Sequence, residues 1–157
     1  MALQDFNWKT LIAIGLLAGL VQVSTGIAMY VAGVYFAAWS MLVTVLVLLL
    51  CIVYGTRRYR DSVLGGQITF GQALVVGIVI SVCTGVVYSI YNIISISFFY
   101  SGFLDEMIRL NPAISERITA NTIAVSNAIR LSVLGTILSV FTSLMVKTGA
   151  RPAYTEP

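Results

Sequence analysis

Four stretches of this chain are longer and more apolar than a soluble domain of its size could bury. Residues 10–31, 36–54, 70–95 and 124–146 carry one charge between them, Arg130. Crossing the hydrocarbon of a bilayer takes about 20 apolar residues in a helix. A lone segment there must bond its backbone internally, which favours helices. The pattern predicts an all-α fold: a polytopic membrane protein of four transmembrane helices, forming one domain over residues 1–157. Composition agrees, with 59% hydrophobic and 10% charged residues. A soluble chain carries roughly 25% charged residues, so here lipid must cover part of the surface.

The first apolar run continues well past the length of a signal-peptide core, and Asp5 offsets Lys9 before it. It reads as an uncleaved span. Trp8 and Lys9 stand at its start, where interfacial anchors belong. Only Ala32–Tyr35 separates it from the second span, with Gly33 as the expected turn and Tyr30, Tyr35 and Trp39 as an aromatic belt. The second span ends at Tyr54, and a linker follows, opening with Arg57, Arg58 and Arg60 and broken by Gly65 and Gly66. Thr69 and Gln72 have capping-box spacing, so the third helix is expected to open at Phe70.

Residues 98–123 form the one substantial polar segment. Phe103, Leu104, Met107 and Ile108 recur at helical spacing, opposite an Asp105–Arg109 pair four residues apart. The expectation is an amphipathic extramembrane helix inserted before the fourth span. Asn111 and Pro112 then suit a helix start, and no glycine or proline intervenes until Gly135. One continuous helix from Pro112 to Lys147 is therefore expected, with an unstructured tail.

The linker carries a recognisable pattern. Tyr59-Arg60-Asp61, followed by Gly65-Gly66-Gln67-Ile68-Thr69-Phe70-Gly71-Gln72-Ala73 and, at the end of the third span, Tyr91-Asn92, resembles a family of bacterial four-helix membrane proteins described only as a domain of unknown function. The resemblance implies the fold and a bacterial inner membrane; it implies no activity. The chain departs from it at Leu104-Asp105-Glu106, where family members often carry a proline.

Function has to be read from packing and polar residues. Gly77, Ser81, Gly85 and Ser89 continue from Ala73 at intervals of four, and Gly15 and Gly19 form a GxxxG pair. Small residues let helices approach closely in lipid, so both sets are expected helix-packing faces, within the chain or toward a partner. Gln22 and Asn92 are intramembrane amides that need hydrogen-bond partners. Arg130 is expected either to reach the outer interface or to hydrogen-bond near Asn92. Arg57, Arg58 and Arg60 are expected to set topology and, with Arg130, to touch lipid or a partner.

Lys9, Arg57, Arg58, Arg60, Lys147 and Arg151 fall on one side of a four-span chain, so both termini are expected in the cytoplasm. The spans hold no carboxylate, lysine or histidine, and no phosphate-binding loop or metal-ligand cluster appears. Cys51 and Cys83 lie in apolar runs as free thiols. These features predict no enzyme, no cofactor, no metal and no nucleic-acid partner. The expected role is a non-catalytic membrane subunit or scaffold whose partners are membrane lipids and other membrane proteins or further copies of itself. The alternative is a small-solute or ion transporter or channel.

Overall fold

The computed structural model describes residues 6–37, 39–98, 102–110 and 119–147. Five helices run in the order α1 Trp8–Val31, α2 Ser40–Val63, α3 Phe70–Phe98, α4 Phe103–Leu110 and α5 Ala120–Val146, and the described residues contain no strand. All but α4 are long and apolar enough to cross a membrane. At 1.5 Å per residue, α3 and α5 reach about 40 Å, which overruns a hydrocarbon core of about 30 Å.

The turns follow from particular residues. Asn7 caps α1 by accepting a hydrogen bond from the Thr10 N–H. At the other end of α1, Gly33 adopts φ +70°, a conformation that costs a residue with a Cβ. The Gly33 N–H bonds Tyr30 O at 2.9 Å and the Val34 N–H bonds Met29 O at 3.0 Å, a Schellman closure that satisfies the helix-end carbonyls. Gly65 and Gly66, at φ +62° and +86°, stop α2. The Thr69–Gln72 capping box forms as the spacing indicates: the Thr69 N–H donates to Gln72 Oε1 at 3.0 Å and the Gln72 N–H to Thr69 Oγ1 at 3.3 Å.

Three expectations about the elements need correction. Helix α2 starts at Ser40 rather than Phe36 and runs past Tyr54 to Val63, so Arg57, Arg58 and Arg60 sit on its last turns, not in a linker. The reason is Tyr59, which is fully buried, stacks on Phe6 and accepts a hydrogen bond from the Asn7 N–H at 2.9 Å. That contact carries the helix down the end of α1. The last helix does not run through from Pro112: Thr119 is extended, at φ −135° and ψ 163°, and caps α5 at Ala120. Thr119 and Thr122 form a reciprocal capping box in place of the helical continuation. Asn111 and Pro112 lie outside the described residues. On α4, Arg109 pairs with Glu106, three residues away, rather than with Asp105.

Helix α3 is the hub. It packs most extensively on α5 and then on α1, while α2 touches all three of the other long helices. The bundle reads around as α1–α3–α5–α2, with α1 and α5 at opposite corners. Leu11, Leu48, Ile52, Val76, Ile80 and Leu131 fill its centre.

Candidate functional site

The α3–α5 seam is built from glycine and serine fitting into each other. A Cβ placed on Gly77 would lie 2.7 Å from Ser139 Cβ. A Cβ on Gly135 would collide with the Ser81 side chain. One turn further along, a Cβ on Gly85 would meet Ala128 O and Ser132 Oγ, each at 3.0 Å. The two backbones thus approach as closely as their atoms allow. The serines satisfy themselves locally: Ser81 Oγ donates to Gly77 O at 2.7 Å and Ser139 Oγ to Gly135 O at 2.6 Å. Ser89 crosses the seam, donating to Ala124 O at 2.7 Å. Gly15 and Gly19 face the other side of α3, where added Cβ atoms would lie 2.6 Å from Cys83 Cβ and Val87 Cβ. The small-residue faces are therefore occupied from inside the chain.

Gln22 is buried against α2, its Nε2 donating to Thr44 O at 3.3 Å. Its Oε1 has no hydrogen-bond partner among the described residues, nor have the buried hydroxyls of Thr56, Thr84 and Thr142. These polar atoms are dispersed through the core and form no connected row. Asn92 is buried too, and its Nδ2 donates to Tyr88 O, four residues back in α3. It does not reach Arg130, which corrects one of the two alternatives for that arginine. The short loop back to its own helix offers Asn92 a nearer acceptor.

The two ends of the bundle differ. At the α2–α3 turn, Arg57 and Arg58 are exposed, and Arg60 donates from Nε to Asp61 Oδ1 at 2.8 Å. Arg58 borders a crevice of about 450 Å³ between α1 and α2, lined by Leu17, Val21, Cys51 and Tyr54. At the opposite end, α4 closes over an aromatic cluster. The Phe103 ring is buried, with centroids 5.2 to 6.4 Å from Tyr30, Tyr35 and Phe36. Beneath it lies a cavity of about 190 Å³, whose polar lining is Tyr35, Ser40, Thr44, Tyr88, Asn127 and Arg130. The Tyr35 and Tyr88 hydroxyls are 3.4 Å apart. On α4, Arg109 donates to both Glu106 oxygens at 2.8 and 2.6 Å. Those hydrogen bonds and the guanidinium charge hold the Glu106 carboxyl below its ordinary range and raise Arg109 above its own.

Among the described residues no three histidine, cysteine or acidic side chains gather as metal ligands, and Cys51 and Cys83 are half-buried free thiols. Reading the sequence alone placed Tyr35 in an aromatic belt at the α1–α2 turn but missed its hydrogen bond to Tyr88 and the role of Tyr59 at the other end. It also missed the α5 half of the seam. Ala124, Ala128 and Ser132, then Gly135, Ser139 and Ser143, repeat at intervals of four and would have revealed it.

A family model described as a protein of unknown function (DUF4199) matches residues 13–148, nearly the whole helical region. No curated protein and no solved structure matches the chain.

Proposed function

We propose that this chain, which belongs to the DUF4199 family, is a non-catalytic membrane subunit or scaffold that packs against other membrane proteins and lipid. The observation that carries the reading is the closed interior. The α3–α5 seam is sealed by interdigitated glycine, serine and alanine, and the α1–α3 seam by Gly15 and Gly19 against Cys83 and Val87, with no room for a solute between the backbones. A pore needs a polar lining along its length, and transporter sites use broken helices near the midplane. Here the long helices are unbroken and their buried polar groups are dispersed. The chemistry available for catalysis is equally sparse.

In the same reading the protein sits in a bacterial inner membrane with both termini cytoplasmic. The α2–α3 turn and the helix ends beside it carry Lys9, Arg57, Arg58, Arg60 and Lys147, against Arg109 and Arg130 at the α4 end, where Asp105 and Glu106 offset them. Lys and Arg concentrate on the cytoplasmic side of such proteins. Large side chains such as Leu17, Leu42, Leu46, Ile90 and Phe141 are exposed around the bundle and supply the surface for lipid and for partner helices.

Native purification from the source membrane, with mild detergent and quantitative mass spectrometry, tests the role. The scaffold reading expects another membrane protein at fixed stoichiometry. Recovery of the chain alone from intact membranes, under detergents that preserve known complexes, would contradict it.

A further inference from the structure

The cavity beneath α4 has an unusual charge balance. Arg130 carries five N–H donors, yet among the described residues none accepts a hydrogen bond from it or pairs with it. Among the described residues the cavity lining contains no carboxylate. On α4, Glu106 pairs with Arg109 and Asp105 is exposed. The remaining polar lining adds donors. Tyr35 and Tyr88 share one hydrogen bond between two hydroxyls, which leaves one phenolic proton to give to a third acceptor. Ser40 and the Asn127 amide border the same space. An uncompensated guanidinium beside several hydroxyl and amide donors recognises a compact, multiply accepting anion, and arginine suits phosphate oxygens in particular. At about 190 Å³ the cavity is smaller than the roughly 300 Å³ at which small-molecule sites begin. It suits a single anionic group rather than a whole metabolite.

A second feature says what carries that anion. Arg130 also borders an open crevice of about 470 Å³ between α2 and α5. Its other lining among the described residues is Met41, Ser126, Ile129, Val133 and Leu134, apolar except at Ser126. Met41 and Arg130 belong to both spaces. A polar pocket thus opens directly onto an apolar channel along the lipid-facing surface, with the arginine at the junction. That is the division of a phospholipid into headgroup and acyl chain.

We propose that the α4 end of the bundle is a binding site for an anionic phospholipid, with its phosphate at Arg130 and one acyl chain in the α2–α5 crevice. The site stands independently of the scaffold reading, since a transporter could carry it equally well. Arg130 then remains in an apolar helix because it holds a lipid in place beside α4.

The full chain in detergent, titrated with dioleoyl phosphatidylglycerol and followed by native mass spectrometry, provides the test. The parent should retain one phosphatidylglycerol at concentrations where dioleoylglycerol, which has the same chains and no phosphate, does not bind. Arg130→Gln should weaken that binding by at least about tenfold, the scale of a lost charge-assisted hydrogen-bond pair. Met41→Trp, which blocks the crevice and keeps the charge, should weaken it as well. Arg57→Gln, at the other end, should leave it unchanged. Equal retention by Arg130→Gln, or by Arg130→Met should the glutamine variant not fold, would overturn the proposal. Displacement of phosphatidylglycerol by millimolar inorganic phosphate, with no effect of Met41→Trp, would mean a free-anion site and would overturn the lipid assignment.

Discussion

The α3–α5 seam and the α4 end both place polar residues inside the bundle, and they behave in opposite ways. Along the seam, Ser81, Ser139 and Ser143 donate to carbonyls of their own helices and Ser89 donates across to α5, and Gly77, Gly85 and Gly135 lie against a facing side chain or backbone. The close approach of the two backbones leaves no space there for a further molecule. At the α4 end the hydroxyls of Tyr35 and Tyr88 and the guanidinium of Arg130 surround open space. Polar residues inside a membrane bundle are thus no guide to function by themselves. What separates structure from recognition is whether the local backbone has already used their bonding capacity.

The largest effect should come from breaking the seam. Gly135→Leu drives a branched side chain into Ser81, where even a Cβ collides. Overpacking of a close-packed core costs about 1–3 kcal/mol or more, and the full penalty should appear as a steep loss of thermal stability in detergent. Gly65→Ala, in an open turn at φ +62°, should cost only the backbone strain of about 1–2 kcal/mol. Equal losses from the two would mean the seam is looser than its geometry.

Tyr59→Phe comes next. It removes the acceptor of the Asn7 N–H while keeping the stack on Phe6. A loss of about 1 kcal/mol is expected, with the N-terminal turn of α1 exchanging amide hydrogens faster. Arg130→Leu should be gentler still, within about 1 kcal/mol, because no described residue loses a partner. A large destabilisation would place Arg130 with the seam rather than with the recognition end.

The smallest effect concerns pH. Because Arg109 depresses the Glu106 carboxyl, the pair stabilises α4 fully above the ordinary glutamate range of about 4.3. That contribution fades as pH falls through the lower folded value. Both groups are exposed, so the change should be confined to α4, visible as faster amide exchange over Phe103–Leu110 in acid and absent in Glu106→Gln.

How much of this could be read beforehand depended on range. The spans, the Gly33 turn, the Thr69–Gln72 cap and the amphipathic α4 are encoded within a few residues of one another, and all four were legible. The continuation of α2 to Val63 was not. Its cause is Tyr59 meeting Phe6 and Asn7 some fifty residues earlier in the chain, while the adjacent arginines looked like loop. The start of α5 was missed because Thr119 and Thr122 build a capping box without the usual glutamate or glutamine. At the candidate site, Arg130 stood out as the lone charge in the spans. Its neighbours Tyr35, Ser40 and Tyr88 come from the α1–α2 turn, α2 and α3, and no periodicity within one helix can reveal that assembly.

The central claim is that the bundle interior is closed and the chain works by packing. Flux through reconstituted liposomes tests it most directly, using the purified full chain, a panel of ions and small neutral solutes, and Gln22→Leu beside the parent. Gln22 is the buried amide at the α1–α2 contact, with one oxygen unpartnered among the described residues. The account predicts no flux above protein-free vesicles for either protein, and near-parental stability for Gln22→Leu, since an apolar side chain there relieves a half-satisfied amide. Saturable flux through the parent, abolished by Gln22→Leu in a protein that still folds, would contradict it.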